Sequence, residues 1–342
     1  MTKTISLKKP KIFIFSIKKN FSGLLFSSLI IFVMMLIISN PELFSKSTIN
    51  GLKLFFYSVL PGLFPFMFLT KLLTELGTIF KITKKLSPLS HKLFGTPGVS
   101  FYCFFMSILS GYPIGAKIIG DLFSKELISE SDAKRMSIFC TTSGPIFIIG
   151  AVGVGMLHSF RVGLLIYISH ILSSLICGII YNLISKTKTQ HSPTQTHNPQ
   201  TQHNSNIIPY CLSETVNSLF LVGGYITIFY LASEVLEKLK ILEYVSHILF
   251  PLLSNFGIKL STIKGFLFGI IEVTRGAKEL SILSNPSISA ICGLISFSGI
   301  SIIMQSMTFL KIAKIKAHNF IFSKCVLGIV SIIIFKILVV LC

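Results

Sequence analysis

Glu272 is the only carboxylate inside the apolar run that opens Phe266-Leu267-Phe268-Gly269-Ile270-Ile271, and Val273-Thr274-Arg275-Gly276-Ala277-Lys278 follows it. An ionisable group at membrane depth is costly enough to be a functional candidate: a coupling-ion ligand, a proton carrier or a solute contact. An internal pair with Arg275 would also account for it. A second segment, Ser110-Gly111-Tyr112-Pro113-Ile114-Gly115-Ala116-Lys117, ends in the same Gly-Ala-Lys. Lys117 and Lys278 could neutralise an anion from opposite sides, or snorkel to the interface. Two further steps, Ser143-Gly144-Pro145 and Ser298-Gly299-Ile300, supply hydroxyls and room for close backbone approach. Gln305, one helical turn after Ser301, adds an amide that could meet a solute or tie two helices together. The candidate solute-binding set is therefore Ser110, Gly111, Lys117, Ser143, Gly144, Glu272, Thr274, Arg275, Lys278, Ser298, Gly299 and Gln305.

Signatures of covalent chemistry are missing. The sequence has no H-E-x-x-H, no G-x-S-x-G and no Walker A loop, so neither an enzyme nor a cofactor is expected. Gly150, Gly153 and Gly155 follow no strand and suit a helix-packing face better than a dinucleotide loop. The seven cysteines are scattered singly and read as small buried hydrophobes. His191, His197 and His203 recur every six residues in a low-complexity stretch with nothing rigid to present them, so no metal site is assigned.

The elements that must position these residues are membrane helices. Of 342 residues, 51% are hydrophobic and 13% charged, about half the usual charged fraction of a soluble domain. The net charge of +19 sits between long apolar runs, where it orients helices and meets lipid head groups; nucleic acid is not an expected partner. Seven stretches reach the roughly 20 apolar residues of a spanning helix: 21–39, 54–75, 134–157, 162–184, 214–233, 287–310 and 319–341. The first is too long for a signal-peptide core and reads as an anchor.

Two more apolar stretches, 99–123 and 262–283, are interrupted near their middles and read as re-entrant helical hairpins. Each follows an interfacial stretch, Ile79 to Leu93 and Leu239 to Phe256. The expected fold is thus all-α and polytopic, an inverted repeat with about seven spanning helices and two re-entrant hairpins. Its parts are residues 1–51 (cytoplasmic N-terminus and anchor), 52–185 (first repeat), 186–207 (flexible linker) and 208–342 (second repeat). Three full spans per half invert the second half, and with Met1 inside most Lys and Arg fall in cytoplasmic segments, Lys324 counted among them. Breaks at Ser110 to Gly115, Thr141 to Pro145, Glu272 to Gly276 and Ser296 to Ser301 should converge on one polar cavity near the midplane, its helix N-termini favouring a polar or anionic solute.

From Ser110 to Lys117, through Asp132-Ala133-Lys134-Arg135, to Thr142-Ser143-Gly144-Pro145-Ile146-Phe147-Ile148-Ile149-Gly150, the chain resembles a known family. It is similar to the sporulation integral membrane proteins of the nucleoside-recognition, or gate, domain superfamily, and among them to the stage V sporulation dipicolinate transporters of endospore-forming Firmicutes. The resemblance runs from about Leu52 onward. It implies a multi-pass protein of the outer forespore membrane that carries dipicolinate, a small planar dianion, from the mother cell. The expected partners are that solute or a similar anion, and lipid; self-association is left open. Two alternatives are nucleoside-type transport, whose site should show more amide and carboxylate contacts and fewer cations, and a non-transporting scaffold for spore-envelope assembly.

Overall fold

The computed structural model describes residues 21–76, 78–185 and 206–341; the basic N-terminal stretch and the three linker histidines lie outside them. The chain divides into two compact units, Met1–Phe44 and Ser45–Cys342. In the first, α1 (Phe21–Ser39) carries no charged residue over 19 positions, about 28 Å of helix, close to the hydrocarbon thickness of a bilayer.

The rest of the described chain is helical as well. Helix α2 (Pro41–Lys53) runs through a π-helical stretch, Leu54–Val59, into α3 (Leu60–Glu75), and α4 (Thr78–Phe94) follows. Next come α5 (Val99–Ser110), α6 (Ile114–Ser124), α7 (Glu130–Phe139), a second π-helical stretch (Ile146–Met156) and α8 (Phe160–Ile184). After the linker the same order returns: α9 (Ile207–Lys238), α10 (Ile241–Leu253), α11 (Leu260–Ile271), α12 (Val273–Ser281), α13 (Ile288–Phe297), α14 (Gly299–Leu310) and α15 (Ala317–Leu341). Helices α5 and α11 both have 12 residues, α7 and α13 both have 10, and α8 and α15 both have 25. Four spans pass on length and hydropathy alone, and up to seven if each bent pair counts as one, so the chain is an all-α polytopic membrane protein.

The surface pattern of α8 shows why such a sequence folds in lipid. Leu164, Ile168, Leu172, Ile176 and Ile180, four residues apart, are exposed, while Gly163, Ser169, His170, Ser173 and Ser174 are buried. That reverses the soluble rule: the apolar stripe faces outward and small polar residues let helices approach. Helix α15 does the same, exposing Phe322, Ile329, Ile333 and Ile337 while burying Lys324, Gly328 and Ser331, and it packs along α8. Of the three glycines expected on a packing face, only Gly153 meets another helix, against Gly163; a Cβ on Gly150 would touch nothing.

Local signals end the short helices where the sequence suggests. A capping box starts α7: the Ser129 hydroxyl accepts from the Asp132 amide, and the Asp132 carboxylate accepts from the Ser129 amide. Gly111 at φ +84° ends α5, and a Cβ there would lie 2.6 Å from the Gly144 nitrogen. The two hairpins, α5 with α6 and α11 with α12, are closely packed. Across halves, α6 packs on α14 and α12 packs on the second π-helical stretch, so each hairpin touches the broken span of the other half. The breaks of the second half are narrower than expected: the helix pauses only at Glu272 in the hairpin and only at Ser298 in the span.

Candidate solute-binding cavity

A cavity of about 90 Å³ lies where the breaks meet. Ser110, Gly111 and Tyr112 line it from the first hairpin, Ser143 and Gly144 from the first broken span, Glu272 and Thr274 from the second hairpin, and Gln305 from α14. The rest of its wall is apolar, from α3 (Gly62, Leu63), α9 (Val222, Ile226), α12 (Val273), α14 (Ile302) and the π-helical stretches. Seven of the twelve candidate residues thus share one lining: Ser110, Gly111, Ser143, Gly144, Glu272, Thr274 and Gln305. The Ser110 hydroxyl is buried and has no hydrogen-bond partner among the described residues.

The other five candidates lie outside that lining, and the three cations among them have separate tasks. Arg275 is buried and its guanidinium donates to the Ser233 hydroxyl at 2.7 Å, to Glu234 at 3.1 Å and to Glu237, with the Phe268 ring 4.3 Å away. It clamps α12 to α9, and Lys264 joins at 3.3 Å from Glu237. The counterpart in the first half ties α3 to α6 through Lys71, Glu75 and Asp121, with Lys125 at 2.9 Å from Glu75. Lys117 donates to the Ser218 hydroxyl at 2.6 Å, and Lys278 is exposed. None of the three cations of which at least one was expected to hold an anion lies in this lining: Lys117 and Arg275 are hydrogen-bonded to α9, and Lys278 is exposed.

Glu272 is also not the partner of the Arg275 side chain. One carboxylate oxygen accepts from the Arg275 backbone amide at 2.7 Å, which makes Glu272 the N-cap of α12. Sequence distance could not separate these options, since an acid three residues before a base can pair with its side chain or cap its amide. Ser298 and Gly299 form the break of the second broken span, between α13 and α14, at φ +85° and +69°. The left-handed serine is strained, and its hydroxyl donates to the Tyr112 hydroxyl at 2.6 Å.

The break amides expected to face a solute are largely taken by side chains. The Thr142 amide donates to Ser107 at 2.9 Å, and the Ser143 amide donates to His170 Nε2 at 2.9 Å. Because Nε2 accepts, Nδ1 carries the imidazole proton and donates to Ser296 at 2.8 Å, which continues to Ser331. His170 and Ser331 went unnoticed in the sequence, although a lone histidine inside an apolar span is itself a signal. Lys324 was missed more plainly. Assigned to a cytoplasmic loop from its place near the start of an apolar run, it lies inside the protein, 1% exposed.

No family model matches the sequence, and no solved structure matches it. The chain is similar to sporulation integral membrane protein YlbJ of Bacillus subtilis (strain 168), at 26% identity over 328 residues, which cover 90% of this chain and 80% of that protein. That relative, like this chain, is an integral membrane protein.

Proposed function

We propose that this protein is a transporter carrying a small polar solute across a membrane of a sporulating cell, with its two halves inverted about the cavity. The observation that carries this reading is the convergence of both hairpin breaks and the first span break on one cavity, where they set hydroxyls, a carboxylate and an amide into an otherwise apolar lining. Interrupted backbone in lipid costs several kcal/mol per bare group unless protein, water or solute satisfies it, and discontinuous helices meeting between repeats are how transporters build midplane sites. Similarity to a sporulation integral membrane protein supports the sporulating cell as the setting. The resemblance of the first hairpin supports dipicolinate as the solute and the outer forespore membrane as the site of action.

A nucleoside-type solute is the second reading. The observation that favours it is the polar lining, which has a carboxylate and an amide, Glu272 and Gln305, and no cation. Uptake into liposomes carrying the purified protein separates the two. Labelled dipicolinate should enter saturably and at least tenfold faster than into empty liposomes, with unlabelled nucleosides competing weakly. Saturable nucleoside entry with no dipicolinate entry would reverse the order, and entry of neither would end the transport reading.

A further inference from the structure

Lys324 is fully buried in a membrane helix, and its partners among the described residues are neutral oxygens. Its ammonium nitrogen lies 3.0 Å from the Tyr112 hydroxyl, bonds to the Thr141 carbonyl, and sits 4.7 Å from the centre of the Tyr112 ring and 5.3 Å from that of Phe320. A buried ammonium with no carboxylate beside it is destabilising on its own and is compensated when an anion comes near. The Phe320 and Tyr112 rings supply part of that compensation through their faces.

Tyr112 links Lys324 to the cavity lining. Tyr112 lines the cavity, and its hydroxyl oxygen accepts from Lys324 on one side and from Ser298 on the other. Those two hydrogen bonds use both acceptor positions of a phenol, so its own hydrogen is left to donate. A cation 3.0 Å behind the oxygen strengthens that donor. The unpartnered Ser110 hydroxyl is in the same lining.

We propose that Tyr112 and Lys324 make the first-hairpin side of the cavity a carboxylate site. The phenol donates to a carboxylate of the solute, and Lys324 is the positioning residue that supplies positive charge through it. The inference rests on the transport reading and narrows it, since it provides the positive charge that Lys117, Arg275 and Lys278 do not bring to the cavity. It selects small carboxylate anions over neutral rings of the same shape.

Binding to the purified full-length protein, measured by titration calorimetry with dipicolinate and with its neutral diamide as probes, tests this. Wild type should prefer dipicolinate at least tenfold. Lys324→Gln and Tyr112→Phe should each bring that preference to within about twofold, mainly by weakening dipicolinate, and Lys324→Arg should keep most of it. A role confined to packing would weaken both probes together. If Lys324→Gln does not accumulate, Tyr112→Phe, which keeps the ring, decides. Wild-type preference in the Tyr112→Phe variant, or no binding of dipicolinate by wild type, would overturn the carboxylate site. Binding without uptake into liposomes would sink the transport reading and leave the carboxylate site standing; uptake with an unaltered preference in both variants would do the reverse.

Discussion

Replacing Gly276 by alanine should remove most of the folded protein from the membrane. A Cβ at Gly276 would run into the Cα and nitrogen of Gly269 and come within 3.0 Å of the Gly265 carbonyl oxygen. All three obstacles are backbone, so no rotamer change relieves them, and α11 must part from α12 along the hairpin that carries Glu272. Overpacking a tight core costs about 1–3 kcal/mol, and a collision with backbone belongs at or above the top of that range. The internal control is Gly150→Ala, where the new methyl has nothing within 4 Å. Membrane abundance and the thermal midpoint of the detergent-purified protein should fall sharply for the first variant and stay near wild type for the second. Equal values for the two would mean that the hairpin is not packed as described.

The spans and hairpins were legible in the sequence because lipid imposes a simple rule. About 20 apolar residues cross, and interrupted runs mark sites where backbone needs partners. The run 99–123 resolves into α5 and α6 around Gly111, and 262–283 into α11 and α12 around Glu272, as their turn residues suggest. The small residues of the breaks were legible for the same reason, and Ser110, Gly111, Ser143, Gly144, Glu272 and Thr274 do share one cavity. The cations were not. Where Arg275 points depends on Glu234 and Glu237, some forty residues earlier on α9, and no local pattern announces that pairing. Lys324 fails for the opposite reason: hydropathy windows place a lysine near the start of an apolar run at the interface, whereas helix rotation turns this one inward onto Tyr112.

Glu272→Gln should abolish concentrative uptake, by about 100-fold, at near-normal protein levels. Glu272 is 2% exposed, it lines the cavity, and it is the only carboxylate in that lining. The amide keeps the shape and an oxygen that can accept from the Arg275 amide, so the N-cap of α12 persists in weakened form; loss of a cap altogether costs only about 1 kcal/mol. What disappears is the charge. A carboxylate that shares a small cavity with an anionic solute must take up a proton or a cation with it, and that coupling is lost with the charge. For a neutral solute it is the strong acceptor that is lost. Glu272→Asp, which keeps the charge but shortens the reach, should retain measurable uptake. Wild-type accumulation by the Gln variant would remove Glu272 from the transport cycle and leave it only as a helix cap.

The central claim is that the cavity at the breaks is where solute binds, and thiol chemistry at Ser110 tests it most directly. In a cysteine-free background, Ser110→Cys places a thiol in the lining without adding bulk beyond one sulfur. A small water-soluble methanethiosulfonate reagent should modify it in membranes and block uptake, and saturating dipicolinate should slow that modification at least fivefold. A thiol that reacts at the same rate with and without every solute the protein transports would show that the solute binds elsewhere.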